Sequence, residues 1–176
     1  MRGKQVVLRA AEHSDLEMLW QWVNGTDTPQ WLLVEPPVSR AEEQAWLERI
    51  LSSTSEKMFI ICTPDMTPVG TISLSRLNWK HRKASVGIAI WEAAFREHRL
   101  GTEAMELVLD YAFFAVGLHR VELDVFEDNA RAVRSYEKCG FVKEGLVREC
   151  YHKDGRFINA VLMSVLDSDW RKRRGR

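Results

Sequence analysis

The hydrophobic period of this chain changes at Lys57, and that change restricts the fold more than any other property of the sequence. Before it, apolar residues recur at helical spacing. Leu16, Leu19, Trp20 and Val23 stand at i, i+3, i+4 and i+7, one stripe on a helix that stops near Asn24-Gly25. After it, apolar and polar residues alternate. Lys57–Cys62 reads as a strand, residues 64–68 as a hairpin connection, and residues 69–77 as the returning strand, with Ile72 and Leu74 between Thr71, Ser73 and Ser75. Ala84, Val86, Ile88 and Ile90 give a third strand face. The helical period then returns over residues 101–116, with Ala104, Leu107, Val108, Tyr111 and Phe114 facing inward. Hairpins followed by a strand–loop–helix unit predict an α+β fold: one central, mostly antiparallel mixed sheet flanked by helices.

Punctuation along the chain agrees. Residues 5–9 are a short β-rich run, and Ser14 with Glu17 and Ser39 with Glu42 match the helix capping box. The second box starts a helix running to about Ser52, and the connection over residues 26–37 is a loop. Gly117 stops the central helix in the left-handed conformation glycine tolerates. Val121, Leu123 and Val125 make a further strand, and Asn129 caps a short helix ending at Gly140. Residues 141–151 and 156–166 are strands around an Asp154-Gly155 turn. Without repeats or linkers, the expectation is one domain over residues 1–170 and a basic tail over 171–176.

Composition narrows the function classes. Hydrophobic residues are 45% and charged residues 28% of 176, the balance of a soluble domain. Lysine plus arginine equals aspartate plus glutamate at 25 each, so no global field favours nucleic acid or membrane. Five of the positive charges fall in residues 171–176, which leaves the body mildly acidic. No apolar run approaches the roughly 18 residues of a membrane span, and the opening residues turn polar too soon for a signal peptide. Cys62, Cys139 and Cys150 are odd in number and widely spaced, so buried, reduced thiols in a cytoplasmic chain are expected. The five histidines lack ligand spacing with the cysteines, and no metal site is expected.

Chemistry concentrates between Trp91 and Gly101. A strand that turns through a polar loop into a helix aims free backbone amides and the positive helix end outward, a ready anion site. Arg96, His98 and Arg99 add cationic donors there. A solvated strand–helix turn is the alternative for this segment taken alone.

The run Arg96-Glu97-His98-Arg99-Leu100-Gly101, followed by Thr102, resembles the pyrophosphate fingerprint of the GNAT superfamily of acyl-CoA-dependent N-acetyltransferases, with Arg99 in place of the first glycine. Asn129, Ala132, Tyr136, Gly140-Phe141 and Glu144-Gly145 are similar to its downstream signature. The resemblance extends over most of the chain and is closest to the branch of ribosomal-protein N-terminal and spermidine N-acetyltransferases. It implies a GNAT fold, acetyl-CoA as cosubstrate, and direct transfer to a primary amine without an acyl-enzyme. It assigns backbone contacts to the acetyl and pantetheine groups at Ala89, Ile90 and Trp91. The phosphates fall to Arg96, His98, Arg99, Leu100, Gly101 and Thr102, with Asn129 also on the cosubstrate. Tyr136 matches the tyrosine that protonates the departing thiolate, and Asp124 stands at a register where some relatives use a carboxylate as base. At Arg99 a positive φ would make arginine costly, whereas a negative φ would let it add a phosphate contact.

The resemblance builds the acceptor side from the first helices and their loop, where Trp31 and Glu35 would suit a cationic amine. Spermidine acetyltransferases carry acidic residues near Arg76 and Ser85, so polyamines recede in favour of a protein N-terminus, an amino sugar or another small amine. A homodimer is an expected partner; a membrane is not, and nucleic acid is disfavoured. Two alternatives stay open: a non-catalytic acyl-CoA sensor, motivated by Arg99, and a ribosome- or RNA-associated module using the basic tail.

Overall fold

In the computed structural model, which describes residues 1–25, 33–96 and 98–176, seven strands form one sheet in the order β1-β2-β3-β4-β5-β7-β6. They are β1 (Val7–Ala10), β2 (Lys57–Cys62), β3 (Pro68–Asn78), β4 (Lys83–Ile90), β5 (Arg120–Phe126), β6 (Val142–Lys153) and β7 (Arg156–Leu166). Strands joined by hairpins pair antiparallel. Between β4 and β5 the chain crosses over through a helix, so these two are parallel. Their pairing covers only Lys83–Ser85 against Arg120–Glu122; beyond Ser85 and Glu122 the two strands part.

Alternation across the sheet supplies two cores. Ile61 belongs to the larger one, with Ile72, Val86, Val121 and the crossover helix; Ile60 and Cys62 face Leu19 and Leu47 of the first two helices. Those helices are α1 (Leu16–Asn24) and α2 (Arg40–Ser52). Helix α3 (Leu100–Asp110) buries Leu100, Ala104, Met105, Val108 and Leu109. The helix continues as a π-turn, Tyr111–Ala115, in which Val116 N–H bonds Tyr111 C=O five residues back at 2.9 Å. Gly117 then ends it at φ 75°, as the sequence predicts.

Several local expectations move. The Ser39–Glu42 box forms, with Glu42 N–H on Ser39 Oγ at 3.2 Å and Ser39 N–H on Glu42 Oε2 at 2.8 Å. The Ser14–Glu17 box does not. Arg9 holds the Asp15 carboxylate through both terminal nitrogens, at 2.8 and 2.6 Å, and that carboxylate accepts from Glu12 N–H at 2.9 Å. The turn therefore closes two residues early and α1 starts at Leu16. Cys62 and Cys139 are buried as expected, but Cys150 is exposed because β6, at the sheet edge, has solvent on both sides.

The basic terminus is neither frayed nor free. Residues up to Arg174 belong to helix α5 (Asp167–Arg174), so the division at residue 170 falls inside a helix. Trp170 is fully buried, Arg174 Nη2 reaches Asp110 Oδ2 at 2.7 Å, and Arg173 Nη2 donates to Lys138 C=O at 2.6 Å. Those guanidiniums are engaged by a carboxylate and a backbone carbonyl of their own chain, which weakens the case for a nucleic-acid module.

A charge cluster ties β5, β6 and β7 together. Arg120 donates to Glu144 Oε1 at 2.7 Å and to Ser164 Oγ at 2.9 Å, and Ser164 Oγ donates to Glu144 at 2.7 Å. Arg120 holds the Glu144 carboxyl down at about 2, from an ordinary 4.5. A depressed folded-state pKa gives stability that is present above about 4.5 and lost as pH falls towards 2. Urea midpoints measured from pH 6 to pH 2.5 should therefore fall less steeply for Glu144→Gln than for the parent chain. Parallel curves would remove Glu144 from the acid response.

Candidate active site

Where β4 and β5 part, a cavity of about 930 Å³ opens. Its walls include residues 85–90 of β4, residues 123–126 of β5, and Asn129, Ala132 and Tyr136 of helix α4 (Ala130–Lys138) or its cap. Asn129 starts that helix by accepting Ala132 N–H at 3.1 Å on its side-chain oxygen. This fixes the seven-residue offset that brings Tyr136 to the same side two turns on. Tyr136 packs on Phe141 with centroids 5.9 Å apart, and burial pushes its phenol up to about 12.

Across the cavity, one oxygen of Asp124 accepts the Tyr151 hydroxyl, and the other lies 3.6 Å from Arg76 Nη2. Tyr151 had no sequence signal beyond its place in a strand; only the register Asp124↔Leu162 and Tyr151↔Ile158 on β7 brings it within reach. Desolvation and the Asp124 hydrogen bond both raise the Tyr151 pKa, so this phenol is protonated at neutral pH.

The three residues expected to lend backbone amides differ in orientation. Trp91 N–H donates to Val69 C=O at 3.0 Å and is committed to the sheet. By ladder alternation Ala89, opposite Thr71, also faces β3, which turns the polar groups of Ile90 towards the gap. Arg96 spans the two carbonyls at the strand end, its Nε reaching Ile90 C=O at 3.1 Å and its Nη2 Trp91 C=O at 2.7 Å. Arg96 thus braces the strand end. The Trp91 indole stacks on Trp22, centroids 6.1 Å apart and ring planes nearly parallel, and donates to Thr71 Oγ1 at 3.0 Å.

Arg99 takes the costly alternative. It stands immediately before α3 at φ 62°, a left-handed conformation that favours glycine. It also lines a second cavity of about 600 Å³ with Arg131, Arg134, Lys138 and Arg173. Ile90, Arg96, Gly101, Arg131 and Ser135 border both cavities, so the cationic end runs into the β4/β5 gap at the amino end of α3. His98 is exposed and borders neither. Arg131, Arg134 and Lys138 were not singled out from sequence, although their i, i+3, i+7 spacing behind Asn129 marks one helix face.

Glu35 lies elsewhere, in a third cavity of about 400 Å³ between α1, α2 and the sheet, with Glu42, Glu43, Trp46 and Trp91. Burial raises the Glu43 pKa. Ser73 borders both this cavity and the β4/β5 gap. Trp31 lies outside the described residues.

A parallel pair that opens into a cleft, a helix amino end at its base and a cationic cavity beside it make one elongated site suited to a phosphate-bearing molecule. Residues 5–142 match the acetyltransferase (GNAT) domain. Spermidine N(1)-acetyltransferase of Vibrio cholerae is 30% identical over 174 residues, covering 97% of this chain and 98% of that protein. The protein of the same name from Escherichia coli K12 is 28% identical, covering 94% of this chain and 88% of that protein. The crystal structure of spermidine N-acetyltransferase from Vibrio cholerae in complex with CoA and spermine superposes with a TM-score of 0.89 at 28% identity, over 96% of this chain and 99% of that chain. The chain belongs to the GNAT acetyltransferase family. It is an acetyl-CoA-dependent N-acetyltransferase acting on an amine. None of its described helices is long and apolar enough to cross a membrane.

Proposed function

We propose that the β4/β5 gap is where the acetyl group passes directly from acetyl-CoA to a small primary amine. The observation that carries this reading is the continuity of the gap with the cationic cavity, which gives one molecule room for its phosphates at one end and its thioester at the other. Leu100, Gly101 and Thr102 offer the first amides of α3 to the pyrophosphate, and Arg99, Arg131, Arg134 and Lys138 supply counter-charge. The Ile90 amide polarises the thioester carbonyl. Asp124 takes a proton from the incoming ammonium, and the free amine attacks the acyl carbon. Tyr136 gives its phenolic proton to the departing thiolate and recovers one from the new amide nitrogen. Buried, protonated Cys139 is no competing nucleophile, because burial lifts its thiol to about 11.

The relatives are named for spermidine, and a polyamine is one acceptor class within this reading. The dimer expected from the resemblance would use the open edge at β6, which leaves Val142, Leu146 and Val147 exposed.

Calorimetric titration with acetyl-CoA tests the reading. Binding in the micromolar range is expected, as for ordinary substrates. Arg99→Gly should relieve the left-handed strain and raise stability by up to about 1 kcal/mol. The same variant should bind acetyl-CoA several-fold more weakly at low salt. Absence of acetyl-CoA binding to the parent chain would end this reading.

A further inference from the structure

The acceptor end of the gap holds two groups that the transfer itself does not require. The first is Arg76. Strand β3 shifts register between Ser75 and Asn78, and inside that irregularity Arg76 stands at φ 52°. Its side chain is 72% exposed, and among the described residues its one ion pair is the 3.6 Å approach to Asp124. A long contact between exposed groups contributes little to stability, and a non-glycine residue in the left-handed region costs more than such a pair returns. The second is Ser85. It is 4% exposed, borders the same cavity, and its hydroxyl has no hydrogen-bond partner among the described residues. A buried hydroxyl left unpaired is costly until something meets it. Ser75, its partner in the β3–β4 register, borders the cavity too.

A fixed carboxylate beside a loosely held guanidinium is a complement for a molecule that carries both charges on neighbouring atoms. We infer that the acceptor is a zwitterion of the α-amino acid class, its carboxylate taken by Arg76 and its amine presented to Asp124. The inference rests on the transfer site proposed above and names its substrate class. The incoming carboxylate draws Arg76 away from Asp124 and leaves that carboxylate oxygen open to the arriving ammonium. Ser85 then donates to the bound carboxylate. The ammonium proton goes to Asp124, the N–C bond forms and the C–S bond breaks. Tyr136 protonates the sulfur and is reprotonated from nitrogen, so one proton is released for each acetyl group moved. An oligocation would instead have to pass Arg76 with no gain from it.

Release of the CoA thiol is to be followed with matched acceptors that differ by one carboxylate: phenylalanine and phenethylamine, arginine and agmatine, ornithine and putrescine, with spermidine alongside. The carboxylated member of a pair should show kcat/KM about tenfold or more above its twin, the worth of one charged hydrogen-bonded contact. Arg76→Gln should abolish that preference, and Arg76→Glu should reverse it; both changes lie at an exposed position. Equal rates within every pair, or spermidine outrunning every amino acid, would overturn the inference while leaving the transfer site intact. No turnover with any acceptor overturns it as well. Failure of acetyl-CoA to bind, read by calorimetry on the same protein, marks instead the failure of the site itself.

Discussion

Tyr136→Phe is expected to lower kcat by about 100-fold or more, the range of a lost general acid, with acetyl-CoA affinity unchanged. Three facts set that size. The phenol borders the gap, its ring is fixed against Phe141, and its hydroxyl makes no hydrogen bond with any described residue, so removing it leaves no orphan behind. With its pKa at about 12, the group is protonated across the whole working range and always ready to donate. The change deletes one oxygen and keeps the packing, so the melting temperature should hardly move. Rapid-quench measurement of the chemical step, with calorimetry for binding, separates the two effects. A variant that keeps more than about a third of the rate would show that solvent protonates the thiolate.

The largest effect on stability should come from Trp170→Ala, at about 3–5 kcal/mol, as for other buried aromatic truncations. Trp170 is fully buried and belongs to the main core. Its indole N–H donates to Asp110 Oδ1 at 2.9 Å, Phe113 lies 6.4 Å away centroid to centroid, and the Arg174 guanidinium stacks 4.9 Å above the ring. Truncation empties that volume and removes the surface on which α5 is seated. Arg174 and Arg173 then lose their place beside Asp110 and Glu106 on α3. Equilibrium urea unfolding measures the loss, and Trp170→Phe should recover part of it. A cost below about 1 kcal/mol would mean that α5 contributes little to the cooperative unit.

Elements whose pattern is local were legible in the chain. The switch from period 3.6 to period 2 located β2, β3 and β4, and Gly117 and Asp154-Gly155 marked a helix end and a hairpin turn that the structure repeats. Asn129 was readable as a cap because capping is a contact over three residues. Contacts across the sheet were not legible. Nothing in the spacing brings Tyr151 to Asp124, 27 residues apart, because that meeting depends on two strand registers and a bulge in β6. Composition also misled at the terminus, where six residues that read as a solvated tail are anchored by a tryptophan just before them. The acidic groups they answer, Glu106 and Asp110, lie about sixty residues upstream on another helix.

The three residue pairs joining β4 to β5 have a mechanical meaning. Each half of the sheet is stiffened by antiparallel neighbours, and between the halves the ladder runs from Lys83 to Ser85 and then stops. Under load such a structure yields at its narrowest weld, so opening and closing about that seam is the softest deformation available to it. On the proposed placement of the transfer site, the compliant direction is also the one along which substrates enter and products leave. On that placement catalytic turnover and elastic weakness share one seam, and stiffening it by lengthening the parallel pairing should strengthen the fold while closing the gap.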